Sequence, residues 1–427
     1  MSTSPTADDR PARHHSHAEL IVILGLLAAI GPLSIDTYLP SLPAIAQELD
    51  ASAALVAQSV SAYFFGLAAG QIVCGPLSDR YGRRPVLFVG LALYLVASVG
   101  CVLAPSVTIL IAARAVQGLG AASTAAAGRA VIRDVWAGDR AAQAMSFVMM
   151  VMAFAPLLAP IIGGQIDVYF GWRAVFWLML GFALLLVALV AIRLPETNGP
   201  ERRAGVRVGA TFRAYGHVLA GTRAWCYLLC GGLSYATMFG YITGSPFVYM
   251  QFFDISPQYF GLFFGLNVIG LVLGNWLNSR YVMRLGTRRL LGIGSAVSLL
   301  GARALLGCAL AGTGVLVAVV ITLFIAVGPV SMVGANAMAG LLNLYPHNAG
   351  AASALFGVSQ FGFGALAGVL VGVLFTGTPL AMAEVMMIMA LGSFVAWIGL
   401  LVWRNGPGSP SGKRTTNRDR ERMPISR

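Results

Sequence analysis

Twelve apolar runs, each long enough to cross a lipid bilayer and parted from the next by a short polar break, leave this chain few ways to fold. The hydrocarbon core needs about 20 residues of helix to span it. The runs fall at 19–46, 53–78, 85–104, 106–129, 141–166, 172–193, 224–250, 257–279, 290–310, 314–342, 349–375 and 379–403. In lipid each segment must satisfy its own backbone N–H and C=O groups, and the runs far exceed the roughly ten alternating residues of a barrel strand. Each is therefore read as a helix. With 58% hydrophobic and 10% charged residues, the chain has too little polar surface to cover a water-soluble globule. The expected fold is an all-α membrane protein of twelve transmembrane helices, solvated by membrane lipid.

The net charge of +12 is confined to particular breaks. Arg80, Arg83 and Arg84 follow run 2; Arg129, Arg133 and Arg140 flank the 4–5 break; Arg280, Arg284, Arg288 and Arg289 follow run 8. The 6–7 connection and the tail after Arg404 carry most of the rest, whereas the alternate breaks hold almost none beyond Arg173. Lys/Arg excess marks the cytoplasmic side, so a multi-pass protein of the cytoplasmic membrane with both termini inside is expected. Solvated basic loops account for the charge, and no nucleic-acid partner is implied. The first run is too long for a cleavable signal peptide and is expected to stay as helix 1. Cys74, Cys101, Cys226, Cys230 and Cys308 are odd in number and lie in apolar runs, which points to free thiols. No metal site or cofactor is expected.

The longest internal polar stretch, residues 194–223, has six runs before it and six after. The chain accordingly divides into an N-terminal tail (1–18), a six-helix bundle (19–193), a linker (194–223), a second six-helix bundle (224–403) and a basic C-terminal tail (404–427). A basic turn recurs at the same place in each half: GPLSDRYGRR from Gly75 to Arg84, and GNWLNSRYVMRLGTRR from Gly274 to Arg289. Two pseudo-symmetric bundles with the substrate site between them are the mark of secondary transporters, which work by rocking one bundle against the other. No Walker-type phosphate loop or clustered nucleophile, base or metal ligands is present, so neither ATP hydrolysis nor catalysis is expected.

A charge inside the hydrocarbon costs roughly 2.5 kcal/mol or more, so each one asks for a function or a partner. Asp36 lies ten residues before the end of run 1 and Arg114 eight residues into run 4, depths of about 15 and about 12 Å from one face. At these depths the two come within reach of one another. Burial disfavours a charged carboxylate and a nearby guanidinium favours it, so Asp36 is expected to take up and release a coupling proton with Arg114 tuning it; a static ion pair is the plainer alternative. Arg303 and Glu384 sit closer to run ends and are read as snorkelling to the interface.

In GPLSDRYGRR, Gly75 would permit close helix contact, Asp79 would accept hydrogen bonds at a helix end, Arg80, Arg83 and Arg84 would supply the charge, and Gly82 the tight turn. The whole reads as a gate at the cytoplasmic face, or as topology-setting charge. AFAPLLAPIIGG combines Pro156 and Pro160 with Gly163 and Gly164, which predicts a bent helix that accepts a close neighbour.

Together these stretches resemble the major facilitator superfamily and, within it, the bicyclomycin-resistance (Bcr/CflA) family of drug:proton antiporters. SIDTYLPSLPAIA matches that family's helix-1 motif at Asp36, Tyr38, Leu39, Pro40 and Pro43. LIAARAVQGLGAA is similar to the helix-4 motif at Arg114, Gln117, Gly118 and Gly120, and GAASALFGVSQF to the family's helix 11. The helix-5 antiporter motif departs in one place, with Ala159 where a glycine usually precedes the proline. The resemblance implies export of hydrophobic, drug-like small molecules in exchange for protons, with pocket candidates at Tyr38, Tyr63, Tyr235, Tyr241, Asn267, Asn336 and Gln360. A metabolite transporter of the same fold is the alternative, then a channel or a transport-incompetent sensor. In the second-half basic turn, Asn278 and Ser279 stand where an acid would fall.

Overall fold

The computed structural model describes residues 17–204, 208–312 and 314–402; all but the last two residues of the expected N-terminal tail, and the basic C-terminal tail, lie outside them. The described residues form helices joined by short turns, with no strand. Eleven spans are long and apolar enough to cross a membrane: His17–Glu48, Ala53–Tyr81, Arg83–Val102, Val107–Val135, Gly138–Phe170, Trp172–Arg193, Pro257–Leu285, Thr287–Leu310, Leu316–Leu344, Pro346–Val373 and Leu380–Val402. The twelfth, Thr222–Phe247, is seventh in order and more polar. Of its 26 residues 18 are buried, among them Ser234, Thr237, Thr243 and Ser245. A helix enclosed by protein needs no apolar face toward lipid. The spans are numbered 1 to 12 in chain order below, and "linker end" denotes the end carrying the span 6–7 connection.

Several helices run one or two turns past the expected boundaries toward the linker end. Arg80, Arg129, Arg133, Arg280 and Arg284 therefore lie on helices and not in loops. Arginine is a good helix former and does not end a helix by itself. What ends spans 2 and 8 is glycine: Gly82 (φ 106°) and Gly286 (φ 80°) adopt backbone that other residues resist.

Three spans are broken, each at proline. Span 1 leaves the α-helix after Asp36, makes a 3-10 turn at Leu39–Ser41 and resumes at Leu42–Glu48, with Pro40 and Pro43 opening the two pieces. Span 7 carries Pro246 and ends in a π-helical turn, Val248–Phe252. Span 10 divides at Gly328 and Pro329 into Leu316–Val327 and Val330–Leu344. Irregular backbone at membrane depth is tolerated where protein surrounds it, and Tyr38, Leu39 and Ser41 are all fully buried.

Small residues set the packing. Spans 2 and 4 approach until a Cβ on Gly118 would overlap the Tyr63 carbonyl and one on Gly66 the Ala115 carbonyl. Between bundles, span 2 lies along span 11 and span 5 along span 8. At the end opposite the linker, Gly164 abuts the Pro257 carbonyl, Gly261 abuts Ile161, and Gln58 Nε2 donates to the Val369 carbonyl at 3.3 Å. At the linker end the connection forms two short helices, Pro200–Ala204 and Val208–Leu219. The second touches both bundles: Tyr215 donates to the Ile72 carbonyl of span 2 (3.2 Å), and Tyr345, in the turn between spans 10 and 11, donates to the Val218 carbonyl (3.3 Å). Burial, and secondarily the Asp79 carboxylate, push the Tyr215 phenol up to about 12, so it remains a donor at any physiological pH.

Gly118→Val should cost about 1–3 kcal/mol through backbone overlap, whereas Gly128→Val, whose added Cβ would meet nothing within 4 Å, should leave the melting temperature of detergent-solubilised protein close to native. Equal melting of the two variants would contradict this account of the span 2–4 contact.

Candidate functional site

The break in span 1 places Asp36 in the middle of the molecule. Its residue is 4% exposed, and among the described residues its carboxylate takes part in no ion pair or side-chain hydrogen bond. It lies within electrostatic range of Tyr63 in span 2 and Tyr241 in span 7, one from each bundle.

Arg114 occupies the same layer, but the expected meeting with Asp36 does not occur. The guanidinium is turned to other partners: Nη2 donates to the Ser34 carbonyl (3.0 Å) and Nη1 to Gln117 Oε1 (2.6 Å). The faces of Tyr63, Tyr38 and Phe176 cover it, with ring centres 4.3, 4.6 and 5.9 Å from Cζ. A desolvated cation over aromatic faces gains on the order of 2 kcal/mol, and carbonyl oxygens supply what a carboxylate otherwise would. Around this centre Gln117 Nε2 donates to Ser98 Oγ (2.8 Å), Ser98 donates to the Tyr94 carbonyl, and Tyr38 donates to Ser59. The Ser34 hydroxyl donates to the Ile30 carbonyl, which leaves Tyr94 as donor to Ser34. One charge thus ties spans 1, 2, 3, 4 and 6 together.

The pocket candidates separate into groups. Tyr38 and Tyr63 belong to the Arg114 cluster and are fully buried. Tyr241 and Asn267 meet across spans 7 and 8, with Asn267 Nδ2 donating to the Tyr241 hydroxyl at 3.1 Å. Tyr235 is half-buried beside Phe239 and Phe356. Gln360 is half-buried on span 11. Asn336 stands apart: its amide donates to Asn278 Oδ1 (2.6 Å) and ties span 10 to span 8 near the second basic turn. Along the seam between bundles, the hydroxyls of Ser61, Tyr63, Thr243, Ser245 and Tyr249 and Asn267 Oδ1 are buried without a hydrogen-bond partner among the described residues. A Cβ on Gly368 of span 11 would touch both Ser61 and Thr243, which fixes where spans 2, 7 and 11 converge. Such groups can hydrogen-bond a polar guest between the bundles.

Span 5 supplies the wall on the other side. A Cβ on Gly163 would overlap the Thr37 carbonyl, next in chain to Asp36, while Gly164 faces span 8. Pro160 is buried and Pro156 half-buried within one unbroken helix.

At the linker end the GPLSDRYGRR turn is held by residues of the first half and the linker. Arg83, 4% exposed, donates through Nε to Asp134 Oδ2 (2.9 Å) and through Nη1 to Asp79 Oδ1 (2.5 Å) and Ser78 Oγ (3.1 Å). Glu196 accepts the backbone N–H groups of both Arg83 (2.9 Å) and Arg84 (3.1 Å), capping span 3 where Gly82 has no side chain to do so. Asn198 Nδ2 donates to the Asp79 carbonyl (2.7 Å), and Arg203 pairs with Glu196 at 3.3 Å. The Arg84 guanidinium donates to the Ala191 carbonyl at 2.9 Å, and exposed Arg80 lies over Tyr81. Gly75 permits no close contact here, since a Cβ on it would meet nothing within 4 Å. Asp134, Glu196 and Asn198 escaped sequence reasoning because their partners in the turn lie tens of residues away, and Arg203 because it joins the cluster through Glu196. In the second half, Arg280, Arg284, Arg288 and Arg289 are exposed and pair with no carboxylate among the described residues.

The family profile of the Major Facilitator Superfamily matches residues 24–369. The chain belongs to this superfamily. It is an integral membrane transporter of small molecules and not an enzyme, and within the superfamily it stands with the bicyclomycin-resistance proteins. It is 34% identical to the uncharacterized MFS-type transporter YdgK of Bacillus subtilis, over 96% of this chain and 100% of that one. It is 33% identical to a bicyclomycin resistance protein homolog of Haemophilus influenzae, over 82% and 88%. In fold it is similar to the xylose transporter XylE of E. coli, with a TM-score of 0.69 at 16% identity, covering 91% of this chain and 98% of that one.

Removing one partner of a buried ion pair costs about 3 kcal/mol or more. Arg83→Gln is therefore expected to lower the melting temperature well below that of Arg289→Gln, whose side chain is exposed and unpaired among the described residues. Matching melting curves would show the Arg83 cluster to be dispensable.

Proposed function

We propose that this transporter sits in the cytoplasmic membrane with both termini inside and exports drug-like small molecules in exchange for protons. The observation that carries the reading is Asp36: a buried carboxylate at the break in span 1, unpaired among the described residues and within electrostatic range of phenols of both bundles. A carboxylate that a permanent ion pair held charged would be a poor proton carrier; one left free can exchange its proton whenever its hydration changes. Rocking of the bundles would change that hydration, because Asp36 adjoins both the break in span 1 and the seam.

Arg114 serves in this scheme as a fixed positive charge in the same layer, kept from neutralising Asp36 by its own carbonyl and aromatic partners. The apolar and aromatic seam, with its unpaired hydroxyls and amide oxygen, suits guests that are largely apolar with a few polar groups. Tyr235, Tyr241, Asn267 and Gln360 are the side chains we assign to substrate contact. The basic residues gathered at the linker end support its placement in the cytoplasm. Names of relatives that speak of bicyclomycin resistance support a drug as cargo. One proton moving down about 100 mV gains roughly 2.3 kcal/mol, and one pH unit adds about 1.4, so a one-for-one exchange of a neutral drug could sustain a gradient of several hundredfold.

The test is proton release from purified protein on adding bicyclomycin or chloramphenicol. Native protein should release protons, and Asp36→Asn, while folded, should release none and should fail to drive drug uptake into everted vesicles under a pH gradient. Gradient-driven transport at the native rate by Asp36→Asn would remove this residue from the mechanism.

A further inference from the structure

Proton exchange at Asp36 needs a route to the end opposite the linker, yet at that end the bundles are closely joined. Gly164 lies against Pro257 and Gly261 against Ile161, and within the first bundle Gly163 lies against Thr37. The packing is too close there for a drug-sized molecule, though a proton needs only a row of groups that can each accept and donate a hydrogen bond.

Asp167, Ser41 and Thr37 offer such groups. Asp167 lies on span 5 one turn beyond Gly163, on the same face and therefore toward span 1. That part of span 5 packs on the 3-10 turn Leu39–Ser41. The Asp167 carboxylate faces Ser41, yet its Oδ1 and the Ser41 hydroxyl are both buried without a hydrogen-bond partner among the described residues. Four residues back along span 1, the Thr37 hydroxyl is also buried and unpartnered, and Thr37 is joined to Asp36 in the chain. Thr37 is 1% exposed, and an unused hydroxyl at such a site costs about 1–3 kcal/mol and asks for a reason, whereas Ser41, 0% exposed, has the Asp167 carboxylate beside it. Glu48, the other acid of this part of the first bundle, is engaged elsewhere, since it pairs with Arg173 and also accepts from Trp172.

We propose that Asp167, Ser41 and Thr37 form the proton path between the end opposite the linker and Asp36. The inference rests on the proton-coupled reading above. Asp167 collects a proton from the aqueous face about one turn away. It passes that proton to Ser41 Oγ as Ser41 gives its own to Thr37, and Thr37 gives its own to the Asp36 carboxylate, with water free to bridge a gap. One proton leaves Asp167 and one arrives at Asp36, and rotation of the two hydroxyls restores the row. The closed end of the molecule is thereby shut to substrate while it stays open to the coupling ion.

The test separates proton movement from substrate movement. Asp167→Asn and the double variant Thr37→Val, Ser41→Ala are reconstituted in vesicles beside the native chain, with bicyclomycin as the probe. In detergent, where both ends meet the same buffer, all should show drug-triggered proton release, because Asp36 is intact. Drug–drug counterflow without a pH gradient should also stay native, since it requires no net proton transfer. Gradient-driven transport should slow by about tenfold or more, equivalent to about 1.4 kcal/mol on the barrier, and Asp167→Glu should recover much of it. Native gradient-driven rates in both variants, or equal loss of counterflow, would overturn the path. Absence of drug-triggered release even from the native chain would overturn the coupling itself, and the path with it.

Discussion

A guanidinium buried in the hydrocarbon layer without a carboxylate must draw its stabilisation from dipoles and ring faces, and much of the first bundle is arranged to provide them. Arg114 takes the Ser34 carbonyl from span 1, ring faces from spans 1, 2 and 6, and the Gln117 amide, which leads on to span 3. The Ser34 carbonyl is free to accept because the helix of span 1 is about to end two residues later. The break at Thr37–Tyr38 therefore has two effects: it supplies an acceptor to the arginine and it releases Asp36 from a regular helix. Loss of this charge would leave aromatic residues of three spans facing nothing they fit.

The two halves solve the same problem at the linker end in different currencies of interaction. In the first, an arginine, two aspartates and a glutamate from the linker bind the 2–3 turn into one charged cluster. In the second, an amide–amide bond between Asn336 and Asn278 does the tying, and the arginines face outward. A cluster of complementary charges can be re-formed with other partners as helices move, whereas a short amide contact holds fixed geometry. At the same end the helix Val208–Leu219 touches span 2 and Tyr345 in the turn between spans 10 and 11, so both bundles meet it.

The fold was legible in the sequence because apolar length is a direct record of bilayer thickness. Span 7 was read at 224–250 as an apolar run like the others, although it is more polar than the rest. Helix ends were less so: arginines that look like loop residues continue the helices of spans 2, 4 and 8, and only the glycines at 82 and 286 mark true ends. In the site, the isolation of Asp36 and Arg114 among apolar neighbours was visible, since charge in lipid is rare enough to stand out. Their mutual relation was not, because depth along an axis says nothing of azimuth, and Arg114 had ring faces and a carbonyl to choose over the acid. Glu196 and Asp134 were hidden for a simpler reason, as polar residues at helix ends are common and nothing local distinguishes those that reach across the fold. Asn336 shows the converse, an amide that looks like a ligand contact and serves as a tie.

Gly163 and Gly164 are adjacent, and successive residues on a helix point about a third of a turn apart. The first accepts the backbone beside the acid; the second accepts the first carbonyl of span 8. A single peptide unit is therefore wedged between the residue that would carry charge and the opposite half of the protein. The surroundings of one carboxyl group and the seat of the second six-helix body thus share one short stretch of backbone, left bare by the absence of two side chains.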